Sequence, residues 1–342
     1  MQMHSNYHDL LIAAKQGDKA LVIWRDKEGS LQHLTGFAKE FHPSELSVPA
    51  YVFRPFFQKD NTSIAISESF DKNDYRLPPA QVSAQSSKID YLNAVQLATE
   101  TFDDTFKKVV LARNQQTKLI KAFDAIAFFA AVAEKNPNAH CYFVHFPCGE
   151  QWVGASPELL LKAESDTFST QALAGTVWHD NNFGAKEKAE QGVVTEYIQN
   201  LLLQNGAEHL IVSALQTTQS GHLRHLVHQF TFKATSRQIQ DIIAWAEKLH
   251  PTPAVCGMPK ETALNFISKY EKLDRSLYTG YSGFVAPNQA NLYVNLRCVK
   301  ISGDLATLYA GAGILKNSIA EIEFQETVNK MAVVGEILKA MA

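Results

Sequence analysis

Four glutamates interrupt the apolar faces of two helices that the sequence predicts. Residues 185–204 have a helical pattern in which Glu187 and Glu190 share one stripe with apolar side chains. Glu323 and Glu326 have the same spacing on the last predicted helix. Buried carboxylates are costly unless a cation or a hydrogen-bond donor meets them. The two pairs are therefore candidate cation ligands.

The last predicted helix begins at about Ser318 and carries Glu323 and Glu326 on a face that we expect to point inward. The other members of that face are Ile319, Lys330, Ile337 and Met341. Glu321 lies on the opposite side, where we expect it in solvent. Two carboxylate pairs could supply oxygen ligands to one Mg²⁺ ion, which also accepts water and substrate oxygens. The alternative is that the acids form surface ion pairs, since glutamate is usually exposed.

Two glycine-containing segments and one arginine are candidates for binding an anion. AGAG at 310–313 is predicted to end a strand, and ALAGT at 172–176 has a similar composition. In such turns backbone N–H groups can approach an anionic ligand closely. Arg297 lies within the apolar run LYVNLRCV and could bind a carboxylate through two hydrogen bonds. Plain tight turns and an edge-strand arginine are the alternatives.

Three further polar residues stand at the ends of predicted elements. Lys108 precedes VVLAR at the start of a predicted strand, and His250 lies in a proline-rich turn. Glu158 follows Pro157, and we expect it in the first turn of a helix, where the dipole favours an acid. Each residue has an ordinary structural interpretation. Lys108 could be an exposed lysine that flanks a strand, His250 part of a surface loop, and Glu158 an acid at the start of a helix.

The order of the predicted elements favours an α+β fold. Before a polar segment at 71–88, interpreted as a surface linker, the sequence shows strand-like runs. After it, helices and strands mix without a regular βαβ rhythm. The strand-like runs are 21–26, 31–41, 51–57, 63–69, 108–119, 141–147, 151–156, 291–301 and 306–314. The helical runs are 89–103, 185–204 and the segment from about 318 onward.

The composition is that of a globular protein and argues against several classes of partner. The 342 residues are 46% hydrophobic and 20% charged, with a net charge of −3. Nothing therefore favours binding to nucleic acid or to an anionic membrane. Because no apolar run could cross a bilayer and no signal-peptide pattern is present, we expect a cytoplasmic protein. The four scattered cysteines have neither CxxC nor zinc spacing, so we expect reduced thiols.

Taken together, these segments resemble the chorismate-utilising enzymes, which include isochorismate, salicylate, anthranilate and aminodeoxychorismate synthases. The resemblance covers residues 90–340. Its ordered motifs are KVVLAR, GASPELL, ALAGT, KEKAEQGVV, HPTPAVCGMP, YEKLDRSLYTG, LYVNLRCVKI, LYAGAGI and EIEFQETVNK. It implies a single α+β domain over 1–342, with two large stacked antiparallel sheets and helices outside. Residues 1–85 would form a short β-rich part of that domain.

The resemblance also implies roles for individual residues. Glu190 and Glu326 are similar to the family's Mg²⁺ ligands, and Glu187 and Glu323 to supporting acids that bind the metal directly or through water. The residues implied to bind chorismate are Gly175, Thr176, His250, Tyr278, Arg297, Gly311, Gly313 and Lys330. Family members often have a histidine at the position of Gln191. We expect Gln191 to lie off the carboxylate stripe.

The chemistry implied by the resemblance replaces the C4 hydroxyl of chorismate by a nucleophile at C2. Members that add water have a lysine just before VVLAR, which here is Lys108. Lys108 must be neutral to act as the base. Glu158 is similar to the general acid of the family and must be protonated at the start.

Ala254 in HPTPAV bears on the product that the resemblance implies. Salicylate synthases, which go on to eliminate pyruvate, tend to have a threonine there, so Ala254 favours an isochorismate synthase, which is an isomerase. A salicylate synthase and a catalytically inactive chorismate-binding protein on the same scaffold are the alternatives. We expect a monomer. The sequence leaves open whether the product would serve menaquinone or siderophore synthesis.

Overall fold

The computed structural model describes residues 2–25, 29–57, 62–74, 84–120, 123–178, 181–220, 223–234 and 238–342. The helices in these residues are α1 Gln2–Gln16, α2 Lys88–Thr101, α3 Ala125–Lys135, α4 Ala185–Gln204, α5 Ile239–Leu249, α6 Lys260–Tyr270 and α7 Ala320–Met341. The strands are β1 Ala20–Arg25, β2 Leu31–Phe41, β3 Ala50–Arg54, β4 Ser63–Ser67, β5 Lys108–Lys118, β6 His140–His145, β7 Gln151–Ser156, β8 Leu159–Glu164, β9 Thr167–Trp178, β10 Glu208–Val212, β11 Gln216–Ser220, β12 Leu223–Lys233, β13 Gly257–Met258, β14 Tyr281–Ala286, β15 Gln289–Val294, β16 Cys298–Ser302 and β17 Leu305–Ile314.

The strands form two antiparallel sheets that share β2. The first sheet has the order β2–β1–β6–β7–β16–β17–β5–β13. The second has the order β2–β4–β3–β14–β15–β8–β9–β12, and β10 and β11 both pair with the far side of β12. The first half of β2 pairs with β1 and its second half with β4, so the chain passes from one sheet to the other within one strand.

The two sheets stack face to face, and helices cover their outer faces. Aromatic side chains such as Tyr51, Phe53, Tyr142 and Trp152 fill the space between the sheets. Helices α1, α3 and α7 pack on the first sheet, α4 and α5 on the second, and α2 and α6 against β5 and β17. The predicted α+β fold is confirmed. In the described part of the chain, no helix is both long enough and apolar enough to cross a membrane.

Several local predictions differ from the structure. The strand predicted over 291–301 is split into β15 and β16, because Arg297 has a φ of +50° and turns the chain. AGAG lies inside β17 and does not form a turn after it. Glu158 lies between β7 and β8, so the helix that we expected there is absent from this described segment. Helices α1, α3, α5 and α6 were not predicted, and half of the predicted linker, residues 75–83, lies outside the described residues.

Candidate active site

A cavity lies where both sheets meet α4 and α7. The predicted site residues that line it are Glu158, Gly175, Thr176, Glu190, Ala254, Tyr278, Arg297, Gly311, Gly313, Glu326 and Lys330. The fold therefore gathers most of the predicted set, from widely separated segments, around one space.

Two lysine–glutamate ion pairs lie at this cavity. Lys108 Nζ is 2.8 Å from Glu190 Oε1, and the lysine side chain is only 1% exposed. Lys330 Nζ is 2.7 Å from Glu326 Oε1 and donates a hydrogen bond to Gly311 O at 3.0 Å. Lys108 is thus not an exposed lysine at a strand end. Its amine contacts Glu190, which lines the cavity, although Lys108 itself is not among the lining residues.

Two of the predicted glycines allow close packing where we expected anion-binding turns. A Cβ on Gly313 would lie 2.6 Å from Glu190 Oε1 and 3.3 Å from Lys108 Cε, so a larger residue would displace both side chains. Gly175 has a φ of +69°, and a Cβ there would lie 2.6 Å from Glu187 O. These glycines let β17 and β9 approach the glutamates of α4.

Glu158 is a buried carboxyl at the cavity, with 3% of its surface exposed. Thr252 Oγ1 donates to Glu158 Oε1 at 3.4 Å. Burial raises the pKa of Glu158 to about 7, although the Thr252 hydrogen bond and the nearby Lys108 and Lys330 act in the opposite direction. A carboxyl with this pKa is partly protonated near neutral pH, as a general acid must be.

His225, which we did not predict from the sequence, lines the cavity between Thr176 and Arg297. Arg297 Nη2 lies 2.7 Å from His225 Nε2, and Thr176 Oγ1 lies 3.0 Å from His225 Nδ1. Since arginine has only donors, Nε2 must accept, and the proton is assigned to Nδ1, which donates to Thr176. Burial, with Arg297 and Lys330, lowers the pKa of His225 well below its usual value, in agreement with a neutral ring.

The remaining lining residues give the cavity its polar and aromatic surfaces. Arg297 is 7% exposed, and burial lowers the pKa of its guanidinium to about 10, which leaves it charged at neutral pH. Tyr278 is buried and stacks on Tyr309, with ring centroids 5.4 Å apart. Ala254 lines the wall without a polar group.

His250 does not line the cavity, contrary to our expectation of an active-site histidine. It ends α5 behind the wall, where its Nε2 lies 3.0 Å from Thr279 O and donates to it. Burial lowers the pKa of His250 to about 3. The histidine in contact with the cavity is His225, which belongs to a strand where the sequence pattern gives no distinctive signal.

The carboxylates differ in their access to a cation. Glu190 and Glu326 have 17% and 29% of their side chains exposed and line the cavity. Glu187 Oε2 accepts the N–H of Gly184 at the start of α4, and Glu187 lies in a neighbouring depression that also includes Glu326. Glu323 is 1% exposed. No three His, Cys, Asp or Glu side chains surround one point within the described ranges. The carboxylates of Glu190 and Glu326 fit a cation that takes few protein carboxylates and completes its shell with water or substrate oxygens, as Mg²⁺ does.

The inward face of α7 is shorter than we predicted. Ile319 is 59% exposed and precedes the helix, which begins at Ala320. Ile337 is buried, and Glu321 is exposed as expected. Gln191 is 2% exposed and donates to Ala172 O at 2.8 Å, so it faces β9 and is not among the cavity-lining residues.

Comparisons with known proteins point to one family. The sequence profile of the chorismate binding enzymes matches residues 56–339. The isochorismate synthase MenF of Escherichia coli K12 is 32% identical over 266 residues, which are 74% of this chain and 61% of that protein. The MenF of Bacillus subtilis is 29% identical over 325 residues, 90% of this chain and 62% of that protein. The chain thus spans about three fifths of the length of these curated relatives.

Solved structures show the same relationship. The structure of MenF, the menaquinone-specific isochorismate synthase from Escherichia coli, matches with a TM-score of 0.76 and 25% identity over 93% of this chain and 88% of that chain. Anthranilate synthase component I from Streptococcus pneumoniae TIGR4 matches with a TM-score of 0.66 and 18% identity, over 92% of this chain and 89% of that one, which shows a shared fold.

Proposed function

The chain belongs to the chorismate-binding enzyme family, and from this premise we propose that it isomerises chorismate to isochorismate, adding water at C2 and releasing the C4 hydroxyl. The relatives named isochorismate synthases support this choice. The observation that carries it is the cavity itself. It is lined by a carboxyl whose pKa burial raises to about 7 and by two glutamates, each of which is ion-paired with a lysine.

In this proposal Glu190 and Glu326 hold a Mg²⁺ ion, with Glu187 and Glu323 supporting them. A bound Mg²⁺ would neutralise a carboxylate of the substrate and would withdraw electron density from its diene. The carboxylate-rich donor set and the open side of the cavity support this assignment.

The acid–base pair is Lys108 and Glu158. Lys108 Nζ, in the neutral form that a base requires, takes a proton from the water that attacks C2, and Glu158 gives its proton to the departing C4 hydroxyl. Both side chains are nearly inaccessible to solvent, with 1% and 3% of their surface exposed. Bulk water therefore does not compete with the substrate for these protons.

The charged and aromatic side chains of the cavity wall orient the substrate. Arg297 and Lys330 supply positive charge for the carboxylates of chorismate, and Tyr278 supplies a hydroxyl beside Gly311. His225 is expected to fix the orientation of Arg297, because its Nε2 accepts from the guanidinium.

Raising the pH above about 7 is expected to lower kcat/KM for chorismate. Burial raises the pKa of Glu158 to about 7, and only the protonated carboxyl can serve as the acid. When Lys108 is already neutral, as the base must be, activity is lost as Glu158 deprotonates, about tenfold per pH unit well above its pKa. A pH–rate profile between pH 6 and 9 measures this. A profile without a falling limb would remove Glu158 from the role of general acid.

Changing Ala254 to threonine is expected to raise the ratio of salicylate to isochorismate. Pyruvate elimination moves the C2 hydrogen to the enolpyruvyl methylene, so the side chain must be held over the ring. Ala254 lines the cavity and has no hydroxyl to hold it. Ala254→Val is the matched control, because it adds bulk without a hydroxyl. Chromatography and coupled detection of pyruvate give both products.

The outcomes separate the two synthases. We expect mainly isochorismate from the unaltered protein and added pyruvate from Ala254→Thr but not from Ala254→Val. Stoichiometric pyruvate and salicylate from the unaltered protein would replace the proposed function by that of a salicylate synthase. Equal effects of threonine and valine would contradict the role given to the hydroxyl.

A further inference from the structure

The buried ion pair between Glu271 and Arg275 lies behind the cavity wall and takes no part in the chemistry above. Arg275 is 0% exposed, and its Nε and Nη2 donate to Glu271 Oε1 and Oε2, both at 2.6 Å. The guanidinium lies 4.1 Å from the ring of Phe56, and Glu271 Oε2 also accepts the N–H of Ala112 at 2.7 Å. Desolvation offsets much of the attraction in such a pair, so stability alone explains it poorly.

The other donors of Arg275 bind three separate chain segments. Its Nη1 donates to Val255 O at 2.9 Å and to Thr279 Oγ1 at 3.2 Å, and its Nη2 donates to Val110 O at 2.8 Å. With the two bonds to Glu271, these use all five N–H groups of a guanidinium. A lysine has three donors on one atom and cannot reproduce this set.

All three acceptors belong to the wall of the cavity. Val110, Val255 and Thr279 line it. Residues close to them in sequence are the proposed site residues Lys108, Ala254 and Tyr278. Val110 follows the lysine by two positions in β5, so the two side chains point to the same face of the sheet. One guanidinium therefore connects the segments that carry the base, the product-determining alanine and the substrate-binding tyrosine.

Thr279 shows that the wall is held in an unfavourable conformation. Its φ is +59°, which is uncommon for any residue with a Cβ and strained for a β-branched one. Arg275 binds its side chain, Asn295 O accepts its N–H at 2.8 Å, and His250 donates to its carbonyl. Such strain persists at functional sites only where the surroundings fix it from several sides.

We propose that the Glu271–Arg275 pair is a positioning pair that sets the spacing of these three wall segments around the substrate. It thereby controls the turnover of folded molecules more than it controls folding. The inference rests on the proposed function, because it takes the site residues from it. Displacement of a positioned group by about 1 Å can cost about 10²-fold in rate.

The test compares two Arg–Glu pairs that have the same geometry. Arg54 Nε and Nη2 donate to Glu247 Oε1 and Oε2, both at 2.8 Å, away from the cavity lining. The variants are Arg275→Lys and Glu271→Gln, with Arg54→Lys and Glu247→Gln as controls. Saturating chorismate consumption is measured well below each variant's unfolding midpoint, with the folded fraction determined by circular dichroism.

We expect kcat per folded molecule to fall about 10- to 100-fold in both Glu271–Arg275 variants and to stay within twofold in the controls. A purely structural role would lower the unfolding midpoint and leave kcat per folded molecule unchanged, which would overturn the proposal. If Arg275→Lys does not fold, Glu271→Gln decides alone. Because consumption is followed whatever the product, a salicylate-forming protein would not affect this result. An unaltered protein that consumes no chorismate would contradict the proposed function and this inference with it.

Discussion

Glu158→Gln and Lys108→Ala are each expected to lower kcat for chorismate consumption by about 10²–10⁴-fold, the usual loss for a positioned acid or base. Glutamine keeps the shape of the Glu158 side chain but has no proton of suitable acidity for the departing hydroxyl. Alanine removes the amine that contacts Glu190 Oε1. Steady-state kinetics measure the loss of turnover, and calorimetry measures separately whether the variants still bind chorismate.

The matched controls come from a second buried lysine–glutamate pair. Lys300 Nζ lies 2.8 Å from Glu150 Oε2, with 5% and 12% of the side chains exposed, and neither residue lines the cavity. Lys300→Ala and Glu150→Gln should therefore disturb folding but retain kcat per folded molecule. Near-full activity of Lys108→Ala would show that water is activated by another group.

Glu190→Gln and Glu326→Gln are expected to abolish magnesium-dependent turnover, the second large effect. Each change removes the charge of one proposed ligand while keeping its shape, so the cavity would hold too little negative charge for a hard divalent ion. Loss of the charge also breaks an ion pair, with Lys108 or with Lys330. Magnesium titrations of activity, with circular dichroism of the folded state, measure this.

Glu321→Gln is the control for this prediction. Glu321 belongs to the same helix as Glu326 and is exposed; it lines the neighbouring depression that also includes Glu187 and Glu326, but it does not line the cavity. We expect almost unchanged activity and magnesium dependence. Equal damage from all three substitutions would show that the position of an acid on the helix face does not matter, and the metal assignment would then be wrong.

The sequence predicted those parts of the site that depend on local spacing. The bounds of α4 were predicted at 185–204, as found, because its helical pattern is regular. Strands β5 and β17 were also predicted, since their apolar runs are long. These three elements bring Glu190, Lys108 and Gly313 together, and the family resemblance had implied site roles for all three.

Other features depend on contacts between distant segments and could not be read from spacing. His225 reaches the cavity because β12 pairs with β9 in a register that sets it opposite Thr176. Arg297 was expected inside a strand, but its positive φ breaks the run and turns its side chain toward His225. Arginine has no propensity for that conformation, which tertiary contacts impose.

The most direct test of the proposed reaction is incubation of the unaltered protein with chorismate and Mg²⁺ in water enriched in oxygen-18, followed by mass spectrometry of the product. Addition of water at C2 with loss of the C4 hydroxyl predicts isochorismate that carries one solvent oxygen. No labelled product should form without Mg²⁺. Unlabelled isochorismate, or chorismate that remains unconsumed in the presence of Mg²⁺, would contradict the account.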